Sequence, residues 1–108
     1  MPDFSIDDVV ATIKARCDAP ATQSYTRSLL EGGTARVARK FGEESVELVV
    51  ALMQDDRPAV VAEAADVMFH LLVALQSQGV PFDDVLAELQ RRTAQSGIDE
   101  KNSRKAGR

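Results

Sequence analysis

Apolar positions along this chain recur with the period of an α-helix. Ile6, Val9, Val10 and Ile13 form the first such set; with Ser5 as N-cap and Asp7 and Asp8 in the first turn, they predict an amphipathic helix to about Cys17. Residues 18–23, with Pro20, read as a loop. Ser24 to Leu30 predicts a short helical turn entered through hydroxyl-bearing residues and closed by Gly32 and Gly33. Thr34 is the expected cap of a long second helix running to about Gln54, with Val37, Phe41, Leu48 and Leu52 on one side. Asp56 as N-cap and Pro58 near the first helical position then start a third helix, which Gly79 stops after about Gln78. Val60, Val61, Ala64, Val67, Met68, Leu71, Leu72 and Leu75 leave little of this helix polar, which predicts burial on several sides. In so short a chain, part of that burial is expected from a second subunit. Pro81 to Asp84 opens a further helix that bears Val85, Leu86 and Leu89 and ends by Gly97. Nothing in the pattern predicts a strand. The fold expected is all-α, a bundle of four to five helices completed by homodimerisation.

Length and charge narrow the classes available. At 108 residues the chain is expected to be one domain, 1–108, with a helical core over about 5–97 and a polar basic tail at 98–108. The default for such a tail is a frayed, solvated terminus. A net charge of −4 gives no support to a nucleic-acid or membrane-binding surface. The single cysteine, Cys17, rules out an intramolecular disulfide and fits a reducing, cytoplasmic setting. Asp3, Asp7 and Asp8 interrupt any N-terminal signal pattern. The strongly apolar stretch Val67 to Leu75 is too short to span a bilayer.

Chemistry concentrates in two matched spacings. Glu44 and Glu47 lie three residues apart on the second helix, Glu63 and Asp66 three apart on the third, and residues so spaced share a helix face. A turn and restart at Asp55 to Pro58 would fold the helices antiparallel and set the pairs opposite each other. Four carboxylates so placed repel, and burying any of them uncompensated is costly. Solvated surface acids are the plain alternative for any single one, but the doubled spacing within apolar sequence favours a shared divalent cation. Oxygen ligands alone suit Mg²⁺ or Mn²⁺ better than iron or zinc. Glu63 is followed at the third position by Asp66 rather than His, which separates this pattern from ferritin-like di-iron bundles. His70 shares the face of Glu63 and Asp66 and is expected to be a core residue or a neighbour of the site. For Lys40, four before Glu44, an intrahelical ion pair and a phosphate contact both stand open. The chain holds no Walker-type phosphate loop, and its one histidine lacks the partners of a serine triad.

Glu43-Glu44-x-x-Glu47 followed after a hairpin by Glu63-x-x-Asp66 resembles the signature of the MazG-like all-α nucleotide pyrophosphohydrolases. Ser24-Tyr25-Thr26, Leu29-Leu30, Gly33, Arg36-Val37, Lys40, His70-Leu71-Leu72 and Ser96-Gly97-x-x-Glu100-Lys101-x-x-Arg104 are similar, more closely, to the phosphoribosyl-ATP pyrophosphohydrolases. The resemblance runs from about Ile6 to Arg104. It implies a homodimer that splits 1-(5-phosphoribosyl)-ATP into 1-(5-phosphoribosyl)-AMP and pyrophosphate, the second step of histidine biosynthesis. It further implies Glu44, Glu47, Glu63 and Asp66 as metal ligands, with Glu43, Glu44 and Glu47 as the catalytic acids. Ser24, Tyr25, Thr26, Lys40, Lys101 and Arg104 are implied as substrate contacts. One alternative is a house-cleaning pyrophosphatase of the same superfamily acting on (deoxy)nucleoside triphosphates. Another, of a different class, is a non-catalytic helical dimerisation module whose acids are surface decoration.

Overall fold

The structure, a computed structural model, describes residues 3–94. Those residues form five helices: α1 (Ile6–Cys17), α2 (Tyr25–Glu31), α3 (Gly33–Met53), α4 (Arg57–Ser77) and α5 (Phe82–Thr93). There is no strand among them. The expected all-α class is the observed one, and the loop at 18–23 and the restart at Asp56 stand where the sequence pattern puts them. The tail at 98–108, with Lys101 and Arg104, lies outside the described residues.

Local chemistry accounts for most helix ends. The Ser5 backbone N–H donates to Asp8 Oδ2 at 2.9 Å, closing the first turn of α1. Asp56 Oδ1 accepts from the Ala59 N–H at 3.1 Å, with Pro58 in the first turn of α4. Gly79, at φ 67, ends α4, and the Val80 N–H returns to the Leu75 carbonyl at 3.0 Å. At the head of α3 the structure departs from expectation. The cap position is Gly32, and the break from α2 is made by Gly33 at φ 86, a conformation that Thr34 would reach only under strain. Thr34 instead lies inside the helix, where its hydroxyl meets the Gln78 amide at 3.4 Å.

α3 and α4 form a long antiparallel hairpin, and α1 and α2 pack across one end of it. There the core closes: Ile13 of α1, Leu29 of α2, Val37 of α3, and Leu72 and Val73 of α4 are buried together. Phe82, at the start of α5, packs against this cluster, while no residue of α5 is fully buried. The hairpin's other end lacks such cover. Val46, Val49, Val50 and Met53 recur at helical spacing on α3 and are exposed, Met53 to 83%, and Val61 of α4 is exposed to 70%. As a whole, α4 is long and apolar enough to cross a membrane by length and composition. Glu63 and Asp66 in its first half confine the strongly apolar stretch to residues 67–75, which His70 interrupts. The four paired carboxylates therefore sit where the covered core gives way to the bare hairpin. Gly42 has open space around it, so no close neighbour among the described residues requires a glycine there.

Candidate active site and metal centre

Glu44, Glu63 and Asp66 come together where α3 and α4 lie side by side. One carboxylate oxygen of each lies within 4.8 Å of the other two, close enough for a single cation to bridge them. Glu63 and Asp66 share a face because they are one helical turn apart, and the antiparallel hairpin brings Glu44 opposite them. Glu44 is only 7% exposed, Glu63 is half-buried and Asp66 is exposed. The cluster thus has a floor in the protein and an opening to solvent.

Glu47 stands one turn beyond Glu44. Its carboxyl is pushed above the usual carboxylate range, first by the charge of Glu44, then by a hydrogen bond to it and by Glu63. Charge repulsion of this kind is what the doubled spacing implies, and oxygen donors in this number fit a hard divalent cation.

A cavity of about 300 Å³ adjoins the cluster, lined by Tyr25, Leu29, Arg36, Arg39, Lys40 and Glu43. Lys40 joins the two regions, its Nζ lying 3.2 Å from Glu44 Oε1. The ion pair raised as one alternative for Lys40 is therefore present, and the hydrogen bond to Glu44 holds the ammonium above its ordinary range. The Arg36 guanidinium donates to the Ser28 carbonyl at 3.1 Å. Its stem lies over Gly32, where an added Cβ would overlap Arg36 Cδ. Arg39 is exposed and has no partner among the described residues. The sequence pattern alone assigns no role to Arg36 or Arg39. The spacing that singled out the acids applies equally to Arg36, Arg39, Lys40 and Glu43, which lie at positions i, i+3, i+4 and i+7 of one helix.

Acids from two helices beside a cationic cavity suit a metal-assisted reaction on phosphates. A family model described as phosphoribosyl-ATP pyrophosphohydrolase matches residues 6–93, nearly all of the described chain. The chain belongs to the phosphoribosyl-ATP pyrophosphohydrolase family. It is 49% identical over 104 residues to a phosphoribosyl-ATP pyrophosphatase of Nitrobacter hamburgensis, covering 96% of this chain and 97% of that one. It is 48% identical to phosphoribosyl-ATP pyrophosphatase 1 of Bradyrhizobium diazoefficiens, over 97% of this chain and 99% of the relative. A similar protein of Rhizorhabdus wittichii is also 48% identical, over 95% and 97% of the two chains.

In this family member the Ser24-Tyr25-Thr26 entry divides its labour. Ser24 Oγ accepts from the Arg27 N–H at 3.1 Å and donates to the Arg16 carbonyl at 2.9 Å, so it caps α2 and ties it to α1. Thr26 is 1% exposed, and its Oγ1 has no hydrogen-bond partner among the described residues. Tyr25 alone of the three is exposed at the cavity. Glu43 is exposed on the cavity rim.

The electrostatics of Glu47 carry an expected outcome. Because its folded-state carboxyl is raised, the associated stabilisation is present below its ordinary value of 4.5 and is lost as pH rises through the raised folded value. A cation that compensates the ionised cluster should therefore stabilise the protein more at about pH 7.5 than at about pH 5. At 100-fold excess over Kd, Mg²⁺ or Mn²⁺ is expected to add about 2.7 kcal/mol, roughly 10 °C in Tm for a domain of this size. Calorimetry at the two pH values checks this. An equal shift at both would mean that the acids are not the binding site.

Proposed function

We propose that this chain hydrolyses 1-(5-phosphoribosyl)-ATP to 1-(5-phosphoribosyl)-AMP and pyrophosphate, the second step of histidine biosynthesis. The carrying observation is the convergence of Glu44, Glu63 and Asp66 from two helices to within 4.8 Å. In this reading Glu44, Glu47, Glu63 and Asp66 hold Mg²⁺, with Mn²⁺ as a substitute. A cation held by these carboxylates would supply Lewis-acid charge neutralisation for the phosphates and acidify a nearby water.

The chain's own residues supply the rest. Attack by water at the α-phosphorus, in line with the leaving pyrophosphate, needs a proton acceptor and cationic donors on the spreading charge. Glu47, one turn from Glu44 on the same helix face, is one candidate acceptor. Glu43, on the rim, is the other carboxylate within the candidate machinery. Lys40 can exchange its bond to Glu44 for a phosphate oxygen, and Arg36 and Arg39 extend the positive field along the cavity. Tyr25 at the cavity, with Lys101 and Arg104, completes the set of proposed substrate contacts, while the buried Ser24 and Thr26 hold the α2 entry that presents Tyr25.

The proposal also makes the working unit a homodimer, a single domain per chain, acting in the cytoplasm. Support comes from the bare end of the α3–α4 hairpin. A groove there is lined by Val46, Glu47, Val50, Ala51 and Glu63 among others, so an occupant seated in it would also border the carboxylates. A second copy, presenting the same apolar stripe, is the self-complementary occupant expected for a two-fold assembly.

Pyrophosphate release with Mg²⁺, comparing phosphoribosyl-ATP with ATP and the four dNTPs, tests the substrate. Strong preference for phosphoribosyl-ATP is expected. Replacing Arg36 and Arg39 together by alanine should raise KM about tenfold or more, the loss of two charge-assisted contacts. Preference for dNTPs would transfer the protein to the house-cleaning branch. Silence on every nucleotide would leave a helical dimerisation module.

A further inference from the structure

His70 is 6% exposed, and its two ring nitrogens meet one group on α4 and one on α2. Its Nδ1 lies 2.7 Å from the backbone carbonyl of Asp66, one turn earlier on α4. Its Nε2 lies 2.9 Å from the Tyr25 hydroxyl of α2. A carbonyl oxygen only accepts, so Nδ1 must carry the hydrogen of that contact. In the neutral ring Nε2 is then the unprotonated nitrogen, and the hydrogen between it and Tyr25 must come from the phenol.

Ring packing keeps this arrangement in place. Tyr25 stacks on Phe69 with centroids 6.5 Å apart and meets His70 edge-on at 5.7 Å, while Phe69 meets His70 edge-on at 5.4 Å. The outer side of Tyr25 lines the cationic cavity. Burial pushes the phenol above its ordinary range; Lys40 and Arg36 oppose this shift, and Glu44 and Asp66 add to it. Tyr25 thus lies in the cavity wall with its hydroxyl on His70.

We infer that His70 is a positioning residue that commits the Tyr25 hydroxyl proton inward, leaving Tyr25 to meet the bound nucleotide as a hydrogen-bond acceptor only. The contact it makes is to an amino or hydroxyl hydrogen of the nucleoside portion. It does not serve the phosphates, whose oxygens offer no hydrogen and fall to Lys40, Arg36 and Arg39. This inference rests on the nucleotide-hydrolysing reading of the site and assigns Tyr25 within it. The same hydrogen-bond chain ends on the backbone of Asp66, so ordering Tyr25 also braces the turn that carries that carboxylate.

The chain has one histidine, so ¹⁵N-histidine NMR of the untagged protein reads this ring alone. A protonated Nδ1 with an unprotonated Nε2 is expected in the neutral form. The opposite tautomer would overturn the inference, whatever the enzyme's activity. Kinetics supply the second arm. Tyr25→Phe and His70→Leu should each raise KM by about fivefold to tenfold, the loss of one hydrogen bond, with a smaller change in kcat. The double variant should be no worse than either single one, because both remove the same contact. His70→Gln, whose side-chain oxygen can accept from the phenol, should recover most of the loss. A fall in kcat alone, additive effects or no rescue by Gln would make His70 a structural residue and overturn its positioning role. Failure of the wild-type protein on every nucleotide would sink the functional reading instead, and the NMR result would still stand.

Discussion

Asp66→Asn is expected to lower pyrophosphate release by about a thousandfold or more while leaving the helical fold intact. If Asp66 is a metal ligand as proposed, its neutralisation removes several kcal/mol of charge stabilisation from the transition state, and each 1.36 kcal/mol is about a factor of ten. The exposed position of Asp66 makes the variant informative, because no packed side chain is disturbed. Removing one of the repelling charges should leave melting in metal-free buffer unchanged or slightly higher. The Mg²⁺-dependent rise in Tm should shrink or vanish. Glu44→Gln should be equally inactive but also somewhat less stable without metal, since Glu44 is buried and pairs with Lys40. Circular dichroism and calorimetry beside the activity assay separate the two effects. Full turnover in Asp66→Asn would remove this carboxylate from the metal site.

Placing acids on the bare stripe of α3 should break the proposed dimer. Val49 and Met53 are one turn apart and exposed in the single chain. Val49→Glu with Met53→Glu would bring two carboxylates into each apolar half of the interface, and each ion costs several kcal/mol to desolvate. The dissociation constant should rise by more than about a hundredfold, read by sedimentation across a dilution series. Because the groove beside this stripe is bordered by Glu47 and Glu63, activity should fall with dissociation. A wild-type chain that sediments as a monomer at all concentrations would defeat this prediction, and the exposed valines would need another explanation.

The parts of this molecule governed by local spacing were legible from its residues. Ser5, Asp56, Pro58 and Gly79 mark helix ends through side-chain or backbone preferences that act over a few residues, and the helices run accordingly. The paired acids were legible for the same reason, since a three-residue interval on a helix has one geometric meaning. Thr34 shows where local chemistry loses. Gly33 can take a positive φ without a Cβ penalty, so the chain turns there and the hydroxyl one residue later is left inside the helix. The bond between Tyr25 and His70 spans 45 positions and depends on how α2 docks against α4. No periodicity encodes that docking. Arg36 and Arg39 do not stand out in the sequence, because arginine on a helix surface is ordinarily solvated. Their significance comes from the neighbouring Tyr25 and from the acids at one end of the cavity. The trio at residues 24–26 shows the converse limit. A motif names residues together that the fold then separates, one to a cap, one to the interior and one to the cavity.

Turnover of phosphoribosyl-ATP by metal-free wild-type protein, titrated with Mg²⁺, tests the central claim most directly. The account predicts no pyrophosphate before the cation is added, and saturation with the same midpoint as the Mg²⁺-dependent rise in Tm. Full pyrophosphate release in the continued presence of a strong chelator would contradict it, because the converging carboxylates of α3 and α4 would then have no cation to serve.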